Sequence, residues 1–229
     1  MTDIFADVII VGSGVAGALL AAKLAEAGIR VAVLEAGPKV DRAEAVQRYW
    51  DALIKVPESP YPPTPEADHP ITHDRGYWYR QSGPDEFKST YLKVVGGTTW
   101  HWLGTCVRYV PSDFRLKTAY GRGIDWPIGY DDLEAFYAEA EREIGVSGDS
   151  SEPLGSRRSA TFPMNAIPQT YLDRAFSLAL QGTAYEVRPT PQARNSVERD
   201  GRPACCGSAS CIPVCPVQAK YDATVHLAR

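Results

Sequence analysis

The stretch "DVIIVGSGVAGALLAAKLAEAGIRVAVLEAGP", residues 7–38, constrains the fold more than any other part of the chain. Val8 to Val11 is an unbroken β-branched run, the pattern of a parallel strand covered on both faces. Ala16 to Ala27 reads as a helix rich in Ala and Leu and closed by Gly28. Val31 to Leu34 repeats the strand pattern and ends in Glu35. Strand, helix and strand at this spacing predict a βαβ start and hence an α/β fold.

Gly12, Gly14 and Gly17 fit G-x-G-x-x-G, with Ser13 inside the turn. The first glycine permits a tight turn and the second lets backbone approach a pyrophosphate. The third allows the helix to pack closely on the strand. Phosphates then meet the helix N-terminus, where N–H groups without intrahelical partners and the helix dipole favour anions. Glu35 stands where a carboxylate accepts hydrogen bonds from a ribose diol. The pattern predicts dinucleotide binding and does not separate FAD from NAD.

The bulk composition is that of a soluble globular protein: 229 residues, 44% hydrophobic, 23% charged. A net charge of -4 gives no electrostatic case for nucleic acid or an anionic membrane as the main partner. No stretch approaches the ~20 apolar residues that span a bilayer. "MTDIFADVIIVGSG" lacks a basic n-region and its apolar run is cut by Gly12, so it is not read as a signal peptide.

Residues 57–70, "PESPYPPTPEADHP", are too rich in proline for helix or central strand and predict an extended connection, with a PxxP recognition role as the alternative. His69 and His73 have i,i+4 spacing, but Pro70 between them argues against a helix presenting both to a metal. In "YLKVVGGTTWHWLGTCVRY" the Gly96–Gly97 pair lets backbone N–H groups face a ligand, and Thr98 and Thr99 add hydroxyl donors. A core strand with a glycine bend and buried tryptophans fits the same residues. Further on, Leu133, Phe136, Tyr137, Ala140 and Ile144 fall on one helical face, with Asp131, Asp132, Glu139, Glu141 and Glu143 as its solvated side. A second, shorter helix is expected in "TYLDRAFSLALQG".

Four of the five cysteines crowd into "CCGSASCIPVCP", residues 205–216. Disulfides, zinc and an iron–sulfur cluster compete for them. The missing signal peptide weakens disulfides, since cytosolic thiols stay reduced. Adjacent Cys205 and Cys206 suit a tetrahedral zinc poorly. The ending Cys211-Ile-Pro-Val-Cys215-Pro216 is C-x3-C-P, also the tail of bacterial ferredoxin runs. Cys106 reads as a lone buried thiol in a strand.

"VIIVGSGVAG", "VLEAGP", "VVGGTTWHW", "DWPIGYDDLEAFY" and "CCGSASCIPVCP", in this order, resemble the glucose–methanol–choline (GMC) oxidoreductases. Within that family the chain is most similar to flavoprotein subunits of bacterial membrane-associated, FAD-dependent dehydrogenases of the glucose, gluconate and fructose type. The resemblance implies FAD as the dinucleotide and places Gly96, Gly97, Thr98, Thr99 and His101 against it. His101 also matches a position from which some relatives tether the flavin covalently. It further implies an iron–sulfur cluster, of the three-iron type, on Cys205, Cys211 and Cys215, with Cys206 as the alternative third ligand.

Family members are longer and carry their catalytic histidine near the C-terminus. The chain is therefore expected to be the N-terminal part of such an enzyme, inactive alone, with its catalytic residues downstream of Arg229; His226 lies in the wrong context to replace them. The expected fold is a Rossmann-like FAD-binding βαβ start with part of a second, α+β substrate domain. Its segments are 1–46 (βαβ), 47–90 (proline-rich connection), 91–160 (flavin-contacting segment and helix) and 161–229 (start of the substrate domain, with the cysteine loop). The implied substrates are CH–OH groups of sugars, polyols or sugar acids. The implied partners are a small signal-bearing subunit and a multihaem cytochrome c, with a location on the periplasmic side of the inner membrane if the chain is co-exported and in the cytoplasm otherwise. A non-catalytic flavin or electron-transfer module is the rival reading.

Overall fold

The computed structural model describes residues 4–57, 59–62, 84, 91–152 and 154–229. His69, His73 and most of the proline-rich stretch lie outside them. In chain order the elements are β1 (Val8–Val11), α1 (Val15–Glu26), β2 (Val31–Leu34), α2 (Arg42–Asp51), α3 (Leu116–Tyr120), α4 (Tyr130–Ile144), β3 (Ser147–Gly148), β4 (Met164–Asn165), α5 (Tyr171–Ala179) and α6 (Thr224–Leu227). Short 3-10 turns occupy Gly97–Trp100 and Pro111–Arg115. No described helix is long and apolar enough to cross a membrane.

The chain forms two compact units, residues 1–103 with 207–229, and residues 104–206. Their boundaries follow packing, whereas the four segments expected from the sequence follow its motifs.

In the first unit β1 pairs with β2 in parallel, Val8 opposite Val31 through Val11 opposite Leu34. A parallel pair needs a crossover, and α1 supplies it. Ala18 and Ala22 are buried on the inner side of α1. A Cβ on Gly17 would lie 2.1 Å from the Gly12 carbonyl oxygen, so only glycine lets the helix come this close. This α/β start matches the sequence reading to within a residue at each boundary.

The coverage of β1 differs from that reading. Ile10 is buried, but Ile9 is 64% and Val11 83% exposed, and Leu34 on β2 is exposed as well. A β-branched run reports strand propensity and says nothing of how many faces are covered. Among the described residues this sheet has two strands, fewer than a doubly wound sheet requires. The core of the unit joins distant parts of the chain: Ala45, Tyr61, Leu92, Val94, Trp100 and Val214. Asp41 caps α2 by accepting the Glu44 N–H at 3.0 Å, which fixes Ala45 over that core.

In the second unit the expected apolar face of α4 is half-buried at Leu133, Tyr137, Ala140 and Ile144, and the fully buried stripe runs beside it. The inward stripe is Tyr130, Glu134, Ala138 and Glu141, while Phe136 is exposed. Arg108, from a separate segment, brings its guanidinium fork to both carboxylates. It meets Glu141 at 2.9 Å through Nε and Nη2 and Glu134 at 2.8 Å through Nη1. Arg158 also donates to Glu141, and Ser159 donates to Glu134 through its N–H and hydroxyl. Glu141 thus leaves the solvated side assigned to it, because a buried acid is stable when paired and hydrogen-bonded. Helix α5 begins at Thr170 and Asp173 in a reciprocal capping box and buries none of its residues.

Candidate functional site

The turn between β1 and α1 is held from three sides through Ser13. Its N–H donates to Glu35 Oε2 at 2.9 Å and its hydroxyl donates to the same oxygen at 2.6 Å. The hydroxyl oxygen accepts the Gly96 N–H at 3.0 Å. Glu35 Oε1 accepts the Gly37 N–H at 2.7 Å. Ser13 thereby knits the glycine turn, the end of β2 and the Gly96 bend into one frame. Burial pushes the Glu35 carboxyl up, but the Ser13 hydroxyl and the N–H groups of Gly37, Ser13 and Ala36 outweigh it and hold it below the usual range. Glu35 is therefore a carboxylate whose first role is to brace the turn. A carboxylate offers about four lone-pair sites, and the Ser13 hydroxyl with the N–H groups of Ser13, Gly37 and Ala36 faces them here.

In front of this frame lies a cleft of about 830 Å³, walled by Gly12, Ser13, Gly14, Glu35, Thr98 and their neighbours. Helix α1 opens onto it with Gly14 as its N-cap and no side chain capping its first N–H groups. Those groups need an acceptor, and an anion in the cleft is the natural one. A Cβ built on Gly14 meets nothing within 4 Å. Glycine here is thus not required by the protein's own packing, and a methyl group would project into open space beside the helix start. The residues present fit the pyrophosphate of a dinucleotide.

The Gly96–His101 segment borders the same cleft through Gly97, Thr98 and Thr99. Its polar groups are used differently from the sequence expectation. The Gly96 N–H goes to Ser13, and the Gly97 N–H donates to the Val94 carbonyl at 2.7 Å. The Thr99 hydroxyl donates to the Gly96 carbonyl at 2.6 Å and accepts the Ala223 N–H at 2.9 Å. The pair of glycines serves the bend itself: Gly96 has φ +90, and a Cβ there would press on Thr224 and Trp100 at 3.0 Å. Thr98 lines the cleft, and its hydroxyl accepts a long 3.4 Å bond from the Leu92 N–H. His101 lies outside that wall, its ring edge-on to Tyr61.

The four clustered cysteines divide between the units: Cys205 and Cys206 close the second, Cys211 and Cys215 belong to the first. Among the described residues no group of three or more His, Cys, Asp or Glu is arranged to hold a metal ion. Within the first unit the 211–215 loop is braced at three carbonyls. Lys220 Nζ donates to Cys211 O at 2.8 Å, the Tyr61 hydroxyl to Pro213 O, and Arg42 to Cys215 O at 2.9 Å. The Cys215 sulfur accepts the Lys220 N–H at 3.5 Å. Burial pushes the Lys220 ammonium down to about 8, against the opposing influence of Cys211, Cys215 and Asp222. Cys106 is half-buried, in no strand, and burial raises its thiol to about 11, which leaves it unreactive. Sequence reasoning missed Lys220, Arg42 and Tyr61, because backbone carbonyls as partners leave no trace in residue type.

A family model described as "Lycopene cyclase protein" matches residues 7–55, the βαβ start and α2. Fructose dehydrogenase large subunit of Gluconobacter japonicus is 41% identical over 227 residues, covering 95% of this chain and 42% of that protein. A 2-methyl-1,2-propanediol dehydrogenase of Mycolicibacterium austroafricanum is 34% identical over 207 residues, 86% of this chain and 35% of its own length. An uncharacterized GMC-type oxidoreductase of Mycobacterium tuberculosis is 29% identical over 97% of this chain and 29% of its own length. The chain spans well under half the length of these relatives. With a glycine turn, an uncapped helix start and a braced acid aligned along sequence shared with them nearly end to end, the chain belongs to the GMC-type oxidoreductases.

Proposed function

We propose that this chain is the FAD-binding portion of a GMC-type dehydrogenase that oxidises a CH–OH group of a sugar or polyol. The observation that carries the reading is the cleft at Gly14, where an uncapped helix N-terminus faces open space and Ser13–Glu35 fixes the turn around it. Gly12 and Gly14 open the approach to the α1 N–H groups that hold the pyrophosphate, Ser13 fixes that turn, and Glu35 meets the adenosine ribose. Gly96 and Gly97 shape the opposite wall, Thr99 locks it, and Thr98 offers a hydroxyl. His101 lies next to this wall at the flavin end. FAD supplies a two-electron acceptor for the CH–OH carbon.

The base that takes the substrate's hydroxyl proton belongs outside residues 1–229 in this proposal, and this portion alone does not turn over. The bare apolar face of β1 and β2 supports that reading, since Ile9, Val11 and Leu34 call for elements to cover them. Cys211 and Cys215, with Cys205 or else Cys206, would be the ligands of an iron–sulfur cluster, which would supply one-electron chemistry toward an outside acceptor. The soft thiol donors and the braced loop support it. One relative is described as a large subunit. A small signal-bearing subunit and a haem-containing acceptor are the partners proposed here, with co-export to the periplasmic side.

The test is the visible absorption spectrum of the purified full-length enzyme. Flavin bands together with broad iron–sulfur absorption are expected, and Cys211→Ser should lose the second while keeping the first. A protein without bound flavin refutes the reading. Flavin that stays with the denatured polypeptide would add a covalent bond at His101.

A further inference from the structure

Residues 220–223 form a strap against the segment that carries His101. The Thr99 hydroxyl accepts from Ala223, and Trp102 Nε1 donates to the Tyr221 carbonyl at 2.8 Å. Lys220 is fully buried in this strap. Its Nζ donates to three carbonyls: Trp100 O at 2.7 Å, Trp102 O at 2.7 Å and Cys211 O at 2.8 Å. The first two flank His101, and the third opens the Cys211–Cys215 loop. A lysine ammonium has three donors, so each is directed to a main-chain oxygen. Arg42 and Tyr61 also reach both sides, but they meet the 100–101 segment through ring contacts only. Arg42 lies 4.4 Å over the Trp100 ring, and Tyr61 is edge-on to Trp100 and His101.

We propose that Lys220 is a positioning residue that couples the His101 segment to the Cys211–Cys215 loop, so that occupancy of the cofactor cleft is felt at the cysteines. The physical basis is that one buried cation is bonded to both main chains, and neither can shift without leaving an ammonium N–H unsatisfied in the interior. Thr98 and Thr99 wall the cleft on one side of this link. Cys215, 6% exposed, lies on the other. A ligand that stiffens the cleft wall therefore also restrains the loop.

This coupling rests on the proposed FAD site, and the experiment separates the two. The full chain, with its cysteines reduced and any iron removed by a chelator, is treated with N-ethylmaleimide, and alkylation of Cys215 is followed by peptide mass spectrometry with and without FAD. Without FAD, Lys220→Met should be alkylated at Cys215 roughly tenfold faster than the native chain, as local opening becomes easier. Lys220→Arg, which keeps donors in place, should fall between them. Cys106, in the other unit, reports global unfolding and should keep its native rate. With FAD, protection of Cys215 should appear in the native chain and be lost in Lys220→Met. Equal Cys215 rates without FAD, a parallel rise at Cys106, or FAD protection unchanged by Lys220→Met would each overturn the proposal. If FAD fails to bind the native chain at all, the cofactor reading falls, and the comparison without FAD still decides whether Lys220 braces the loop.

Discussion

Two polar clusters in this molecule do opposite things with similar groups. Around Arg108 in the second unit, two carboxylates and two guanidiniums close on each other, and Tyr130 and Ser159 take up further bonding capacity. Around Ser13 and Glu35 in the first, the side chains brace a turn and leave the start of α1 open to a cleft. A cluster whose charges pair with one another, here with only Arg158 Nε left without a hydrogen bond, specifies a fold. One that satisfies its side chains and leaves backbone donors waiting specifies a ligand.

The sharpest way to break this contrast is Arg108→Met. Removing the fork leaves Glu134 and part of Glu141 buried without their partner, which costs about 3–5 kcal/mol. Urea unfolding followed by tryptophan fluorescence reads it, and a loss near zero would make the cluster incidental. Acid should probe the same place. Bonds from the Ser159 hydroxyl first, then Arg108 and the Ser159 N–H, hold Glu134 at about 2, below its ordinary 4.5. Its folded pKa is depressed, so its contribution is complete above the ordinary value and fades as pH falls toward about 2. The unfolding midpoint should drop across that window in the native chain and much less in Glu134→Gln.

Ser13→Ala comes next in size. It strands the buried Gly96 N–H and removes one of the two Ser13 donors on Glu35 Oε2, for a loss of about 1–3 kcal/mol in stability. FAD affinity should fall with it, because the turn loses its brace; an unchanged thermal midpoint would mean that Ser13 joins nothing. The smallest effect is expected at Thr98. Thr98→Ala removes the hydroxyl of a cleft-lining residue and should lower FAD affinity by about 0.5–1.5 kcal/mol while leaving stability in place. Thr99→Ala should do the reverse, since its hydroxyl bonds Gly96 and Ala223. Titration calorimetry with a thermal scan of each variant distinguishes them.

The same contrast explains what could be read from the residues. The βαβ start was legible because its signal is local: a β-branched run, three glycines, an Ala/Leu helix and a terminal acid within residues 8–35. The role of Ser13 was not, since its partner Gly96 lies in a distant segment. On α4 apolar spacing found the half-buried face of Leu133, Tyr137, Ala140 and Ile144 but not the stripe beside it, where Glu134 and Glu141 are buried against Arg108. Hydrophobic periodicity cannot register a partner that arrives from elsewhere in the chain. Lys220 was invisible for the same reason, as its three partners are carbonyls of Trp100, Trp102 and Cys211.

The central claim is that the space in front of Gly14 belongs to a cofactor phosphate, and FAD titration of Gly14→Ala measured beside its thermal midpoint tests it most directly. Gly14 has φ -66 and ψ -177, which any residue adopts, and an added Cβ meets no protein atom within 4 Å. Stability should therefore stay at the native value, unlike Gly17→Ala, whose Cβ would run into the Gly12 carbonyl. FAD affinity should fall by on the order of tenfold or more, about 1.4 kcal/mol, because the methyl group occupies the approach to the helix N–H groups. Native FAD affinity in a stable Gly14→Ala protein would contradict the account.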